Sequence, residues 1–201
     1  MNWIILKQPA NWISFSAVAI SLASIYLADS GWFAQSWICL IAAGVLDMLD
    51  GMVARRFATS LEYKELGLHV DSFCDAINFG LVPILLVAIH TEFHAASFVI
   101  GVIYLVAVIM RLSLFNTHGL LTFDDIQYYR GLPVTYAALF FPIFFIILSF
   151  TTFSFFWLNL CSVILVFLYL SSLPIKKPKY FYRYFLFILA FCMSILLFLG
   201  I

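Results

Sequence analysis

Charge is what this sequence has least of. Of its 201 residues only 10% are Asp, Glu, Lys or Arg, ten of each sign, and the formal net charge is zero. That balance excludes the bulk attraction to nucleic acid that a basic surface supplies. Cysteine is scarce as well. Cys39, Cys74, Cys161 and Cys192 are scattered through apolar runs without paired spacing, which argues against a zinc site or a disulfide frame and for small buried hydrophobes. No low-complexity tract, internal repeat or inter-domain linker interrupts the chain. Lys7 is followed by Pro9 and a long apolar run, not by the short run and small-residue cleavage site of a cleavable signal.

What is present in excess is hydrocarbon: 65% of residues are hydrophobic and 19% aromatic. A soluble domain of this size could not hide so much apolar surface. The expected class is all-α, a polytopic membrane helix bundle, with residues 1–201 forming one membrane-embedded domain. Seven spans are expected, at about 11–28, 32–57, 67–89, 96–115, 132–150, 155–173 and 181–199. Each is long enough for a hydrocarbon core of about 30 Å. Residues 1–10, with Trp3 near Lys7, are a candidate interfacial segment. Residues 59–66, 116–130 and 174–179 read as polar or basic connections. With the N-terminus inside, all ten Lys and Arg residues fall on or at the boundary of one side, as the positive-inside bias requires.

Against that background, one stretch stands out. It reads Asp47-Met-Leu-Asp50-Gly51-Met-Val-Ala54-Arg55, then eleven residues, then Gly67-Leu-His-Val-Asp71-Ser-Phe-Cys-Asp75. A carboxylate in hydrocarbon is costly and marks function by default. On helices, Asp47 and Asp50 share a face, as do Gly67, Asp71 and Asp75. Four converging acids repel unless a cation lies between them, and oxygen-only ligands favour Mg, Mn or Ca. Gly51 and Ala54 leave room for a bulky ligand beside the metal. The inner ends of the second and third spans place this cluster within reach of a soluble nucleotide or a lipid headgroup.

The pattern D-x-x-D-G-x-x-A-R followed by G-x-x-x-D-x-x-x-D resembles the signature of the CDP-alcohol phosphotransferases, and every fixed position is present. The gap from Arg55 to Gly67 is longer than that family's. The resemblance implies a six-span core, here with an additional C-terminal span, and two Mg or Mn ions held by Asp47, Asp50, Asp71 and Asp75. It gives Asp75 the further role of general base. It sets Gly51, Ala54 and Arg55 against the CDP moiety of a CDP-lipid, with Gly67 beside them. Pro9-Ala-Asn11-Trp-Ile-Ser14 is similar to the family's P-N-x-x-T entry to the first span, which brings Asn11 and Ser14 to the same ligand. Thr59 or Ser60 could give a hydroxyl to phosphate. A homodimer is also implied.

Asp71-Ser-Phe-Cys-Asp75-Ala-Ile-Asn78-Phe-Gly80-Leu-Val-Pro83, Arg111-Leu-Ser-Leu-Phe115-Asn116 and Arg130-Gly131-Leu132-Pro133 resemble the phosphatidylserine synthase branch. The implied reaction moves a phosphatidyl group from CDP-diacylglycerol to L-serine and releases CMP. Arg111 or Arg130 would take the carboxylate of serine, and Asn78 or Asn116 would orient it. Glycerol 3-phosphate or an inositol phosphate is the alternative acceptor. Outside this class stand a cation-coupled transporter and a scaffold whose acids pair with Arg55, Arg56 and Lys64. His69, His90, His94 and His118 have no catalytic assignment, with His90 and His94 read as solvated loop residues.

Overall fold

The computed structural model describes residues 8–57, 61–123, 126–177 and 180–199. Its framework is helical. Pro9 opens α1 (Pro9–Asp29), where a missing backbone N–H costs nothing. α2 (Phe33–Phe57) follows, then α3 (Leu61–Asp75), a π-helical turn (Ala76–Leu81) and α4 (Val82–His90), which run on as one rod. α5 (Ala95–His118), α6 (Ala137–Ser149), α7 (Leu158–Leu170) and α8 (Tyr180–Phe198) complete the bundle. Four helical stretches, Pro9–Asp29, Phe33–Ala54, Lys64–His90 and Ala95–His118, are long and apolar enough to cross a membrane. Those at Val134–Ser149, Phe155–Leu170 and Tyr184–Phe198 are apolar but shorter. The chain is an all-α polytopic membrane bundle.

α1 shows how such a helix packs when lipid is as apolar as its neighbours. Ala10, Ser14, Ala17, Ser21, Ser24 and Ala28 are buried at alternating spacings of four and three, while Trp12, Leu22 and Tyr26 are exposed. Small residues let backbones approach closely, which is the usual device between membrane helices. α1 lies along α2 and also touches α3 and α4. Gly44 of α2 serves the same end, since a Cβ there would sit 2.6 Å from that of Ala138 on α6. The large side chains of the interior, Trp37, Phe79, Tyr104, Phe141 and Tyr169, form a buried core with Leu86 and Leu165. Large apolar side chains such as Phe98, Phe167 and Phe191 face outward, as a lipid-facing surface requires.

Several expectations need correction. Residues 61–66, read as part of a polar loop, are the first turns of α3: Leu61-Glu-Tyr-Lys-Glu-Leu66 are mostly good helix formers, with Lys64 and Glu65 exposed. Residues 116–130 and 174–179, read as connections, contribute an antiparallel sheet of β1 (Leu121–Phe123), β2 (Ile126–Arg130) and β3 (Pro174–Lys176). Its register pairs Leu121 with Tyr128 and Tyr129 with Ile175. Pro174 sits where a proline is tolerated, at the start of an edge strand. Gly131, at φ +71°, turns the chain from β2 towards α6, and its N–H donates to the Leu173 carbonyl at 2.8 Å. His90 is not a solvated loop residue, and Cys192 is exposed where a buried thiol was expected. The interfacial reading of residues 1–10 falls mostly outside the described residues.

Candidate active site

Four aspartates reach the site from two elements. Asp47 and Asp50 lie one turn apart on α2, and Asp71 and Asp75 one turn apart on α3. Carboxylate oxygens of Asp47, Asp71 and Asp75 come within 4.8 Å of one another. The carboxyl groups of Asp47 and Asp75 are close neighbours within that group. Asp50 stands slightly apart and accepts a hydrogen bond from the Ser14 hydroxyl at 2.5 Å. The four acids are therefore near neighbours, with three forming the tight group and Asp50 held against α1.

The π-helical turn begins at the residue after Asp75. Such turns loosen the regular ladder and recur at functional sites. Here tertiary partners pin it. The Tyr104 hydroxyl donates to the Phe79 carbonyl at 2.6 Å, and the Ser21 hydroxyl donates to Asn78 Oδ1 at 2.5 Å. Tyr169 donates to the Val134 carbonyl and lies against Tyr104.

The donor set fits a hard divalent cation. Asp75 is only 8% exposed, and its Oδ1 is buried with no hydrogen-bond partner. Facing carboxylates in such surroundings repel unless they share a cation or a proton. The three oxygens lie near enough to one another to converge on an ion of this class.

Two cavities meet at these acids. The larger, about 440 Å³, is lined by Asn11, Ser14, Asp50, Gly51, Ala54, Gly67 and Asp71, together with Gln8, Lys64 and Leu68. A Cβ on Gly67 would come within 3.2 Å of Gln8 Oε1, so glycine leaves that wall open. The second cavity, about 260 Å³, is lined by all four aspartates and also by Arg111, Phe115, Tyr129, Tyr136 and Lys177. Asp50, Gly51 and Asp71 belong to both cavities. Arg111 is only 4% exposed. Its Nε donates to the Leu132 carbonyl at 3.0 Å and its guanidinium lies over the Phe115 ring. Among the described residues no carboxylate pairs with it.

The expected site residues thus divide. Asn11, Ser14, Gly51, Ala54 and Gly67 line one cavity and Arg111 the other. Asn78 is not among the lining residues, being buried and bonded to Ser21. Asn116 donates to the Ser72 hydroxyl and lies outside the cavity wall. Arg130 is exposed on β2 opposite Pro174. The side chain of Arg55 and all of Thr59 and Ser60 lie outside the described residues. Sequence reasoning missed Lys64, Tyr129, Tyr136 and Lys177 as wall residues. The two lysines read as boundary anchors, and only the strand pairing brings residue 177 beside β2, next to residue 127.

The model of the CDP-alcohol phosphatidyltransferases matches residues 7–168, most of the chain and all of the acidic motif. The chain belongs to that family. Within it, this phosphatidyltransferase homologue is 33% identical over 116 residues to an archaetidylserine synthase of Methanothermobacter thermautotrophicus, covering 57% of the chain and 48% of that protein. It is 28% identical over 130 residues to a CDP-diacylglycerol–serine O-phosphatidyltransferase of Helicobacter pylori, covering 64% and 53%. A protein of the same name from Bacillus subtilis is 30% identical over 122 residues, covering 58% and 62%. The chain spans about half the length of the first two relatives.

Proposed function

We propose that the chain transfers the phosphatidyl group of CDP-diacylglycerol to the hydroxyl of L-serine, releasing CMP. The observation that carries this is the meeting of two cavities at one set of acids. A donor and an acceptor can approach the same point from different sides, with the acids between them. The family assignment and the serine-transferring relatives support the chemistry and the acceptor.

Asn11, Ser14, Gly51, Ala54 and Gly67 would receive the CDP end of the donor, with Lys64 offering a cation to phosphate. Ser14 also fixes the Asp50 carboxylate, so that acid keeps its orientation when the nucleotide leaves. Asp47, Asp50, Asp71 and Asp75 would hold Mg or Mn, two ions in this reading. Such ions supply charge neutralisation for a phosphoanhydride as it breaks. The acceptor oxygen forms a bond to the lipid-bearing phosphorus, and the bond from that phosphorus to the bridging oxygen breaks. The electron pair of that bond leaves with CMP. The proton of the acceptor hydroxyl passes to a carboxylate oxygen of Asp75, deep in the apolar interior where water competes poorly. The reading extends to one domain over residues 1–201, an acid cluster facing the cytoplasm, contact with membrane lipid and a homodimer. The distribution of Lys and Arg supports the orientation.

The test is CMP release by purified protein with CDP-diacylglycerol and Mn, with serine, glycerol 3-phosphate or an inositol phosphate offered separately. Release that depends on serine is expected. Release with another of these alcohols alone would reassign the acceptor, and none with any of them would remove the transferase reading.

A further inference from the structure

We propose that Tyr169 is a positioning residue for the acceptor: its hydroxyl holds Val134, part of the lining of the 260 Å³ cavity, in place relative to the π-helical turn that follows Asp75. The inference rests on the reading above, which sends the CDP end of the donor to the larger cavity and leaves the smaller one to the acceptor.

Tyr169 on α7 and Tyr104 on α5 are both buried in the core. Their ring centroids lie 5.8 Å apart and their hydroxyl oxygens 3.4 Å apart. A hydroxyl has one proton to give, and each of these gives it to a backbone carbonyl. Tyr104 donates to Phe79 at 2.6 Å and Tyr169 to Val134 at 3.2 Å. Phe79 lies in the π-helical turn, and the residue four further on is Pro83, which has no N–H to offer it. Asp75 immediately precedes that turn. Val134 opens a single 3-10 turn, Val134–Tyr136. Pro133 and all three residues of this turn line the cavity together with the four aspartates. So short a turn has little hydrogen bonding of its own. The segment leading into it is fastened by other groups. The N–H of Gly131 donates to the Leu173 carbonyl at 2.8 Å and that of Leu132 to the Leu168 carbonyl at 3.1 Å, while Arg111 Nε donates to the Leu132 carbonyl. Tyr169 adds an attachment within the lining itself. Two touching tyrosines thus tie two parts of one cavity, the turn beside Asp75 and the turn of Val134, to a common buried point. Tyr169 is not among the lining residues of the cavities described, so it acts through Val134.

The test uses the full chain in detergent micelles with CDP-diacylglycerol and Mn, and reads CMP release while serine and CDP-diacylglycerol are varied in turn. Tyr169→Phe keeps the ring, and the Val134 carbonyl retains the Ala137 N–H as a donor, so the chain should fold. The KM for serine should rise about fivefold, the worth of one neutral hydrogen bond, with the KM for CDP-diacylglycerol within about twofold of the wild type. The comparison variant is Ser97→Ala. It removes a buried hydrogen bond between the same two helices, from Asn159 Nδ2 to the Ser97 hydroxyl at 2.9 Å, and Ser97 lines none of the cavities described. It should lower the melting temperature, as Tyr169→Phe should, and leave the KM for serine alone. An unchanged serine KM in Tyr169→Phe, an equal rise for both substrates, or a matching rise in Ser97→Ala overturns the proposal while the serine reading stands. A wild-type chain that releases no CMP with serine overturns both.

Discussion

At the end of the bundle away from the acids, His90 is packed among Phe33, Trp37, Phe145 and Phe155. Its Nε2 accepts from the Trp37 indole at 3.3 Å, which leaves Nδ1 to donate to the Leu86 carbonyl at 2.8 Å. Every polar atom of that ring has a partner within the protein. At the other end Asp75 Oδ1 has none, and its carboxyl faces that of Asp47. Both ends hold polar groups among apolar ones, but only one is left incomplete. An orphan atom alone does not mark a site, since Asn159 Oδ1 is also without a partner and lines none of the cavities described. What separates the acid end is the coincidence of an orphan atom, like charges in contact and a cavity.

The most severe way to test that contrast is Asp75→Asn. It keeps the shape and removes both a charge and a proton acceptor. CMP release should fall about 10³-fold, within the range for loss of a general base. Folding should not suffer, because one member of a repelling set is gone. Mn or Mg should raise the melting temperature of the wild-type chain, by the equivalent of about 2.7 kcal/mol at a hundredfold excess over Kd. In the variant most of that shift should vanish. A variant of full activity, or a metal shift that survives it, would make the acid end as structural as the His90 end.

A gentler test asks whether the π-helical turn matters to the acid beside it. Tyr104→Phe removes the hydroxyl that caps the Phe79 carbonyl. The expected loss of stability is about 1–2 kcal/mol, for one buried acceptor left without its donor. If the turn positions Asp75, kcat should drop several-fold with the KM for serine unchanged. Loss of stability at constant kcat would show that the turn serves packing alone.

The acidic motif was legible because it breaks the rule of its surroundings: Asp47, Asp50, Asp71 and Asp75 are charges in hydrocarbon, with spacings that fix their faces. The spans were legible by length, and α1 through α5 fall close to where hydropathy puts them. The small sheet was not. β1 and β3 have three residues each, and Lys176 and Lys177 look like any membrane-boundary lysines until Gln127 is beside them. The buried stripe of α1 escaped for the opposite reason. Its Ala and Ser residues carry no hydrophobic signal, although their four-three spacing was there to be counted. The facing of Asn78 and Arg130 was not legible, because the motif gives only their sequence neighbours: one is bonded to Ser21, the other is exposed on β2.

The smallest effect is expected at the completed end. His90→Phe keeps a ring among Phe33, Trp37, Phe145 and Phe155, but strips the indole N–H of Trp37 of its acceptor. Trp37 is fully buried, so water cannot replace that acceptor without opening the core. The cost should be about 1–2 kcal/mol, read as a lower melting temperature. Kinetic constants for both substrates should stay within twofold of the wild type, because nothing in that ring cluster touches either cavity. If catalysis falls with His90 at unchanged stability, the far end is coupled to the acids, and completeness of hydrogen bonding ceases to separate the structural end from the reactive one.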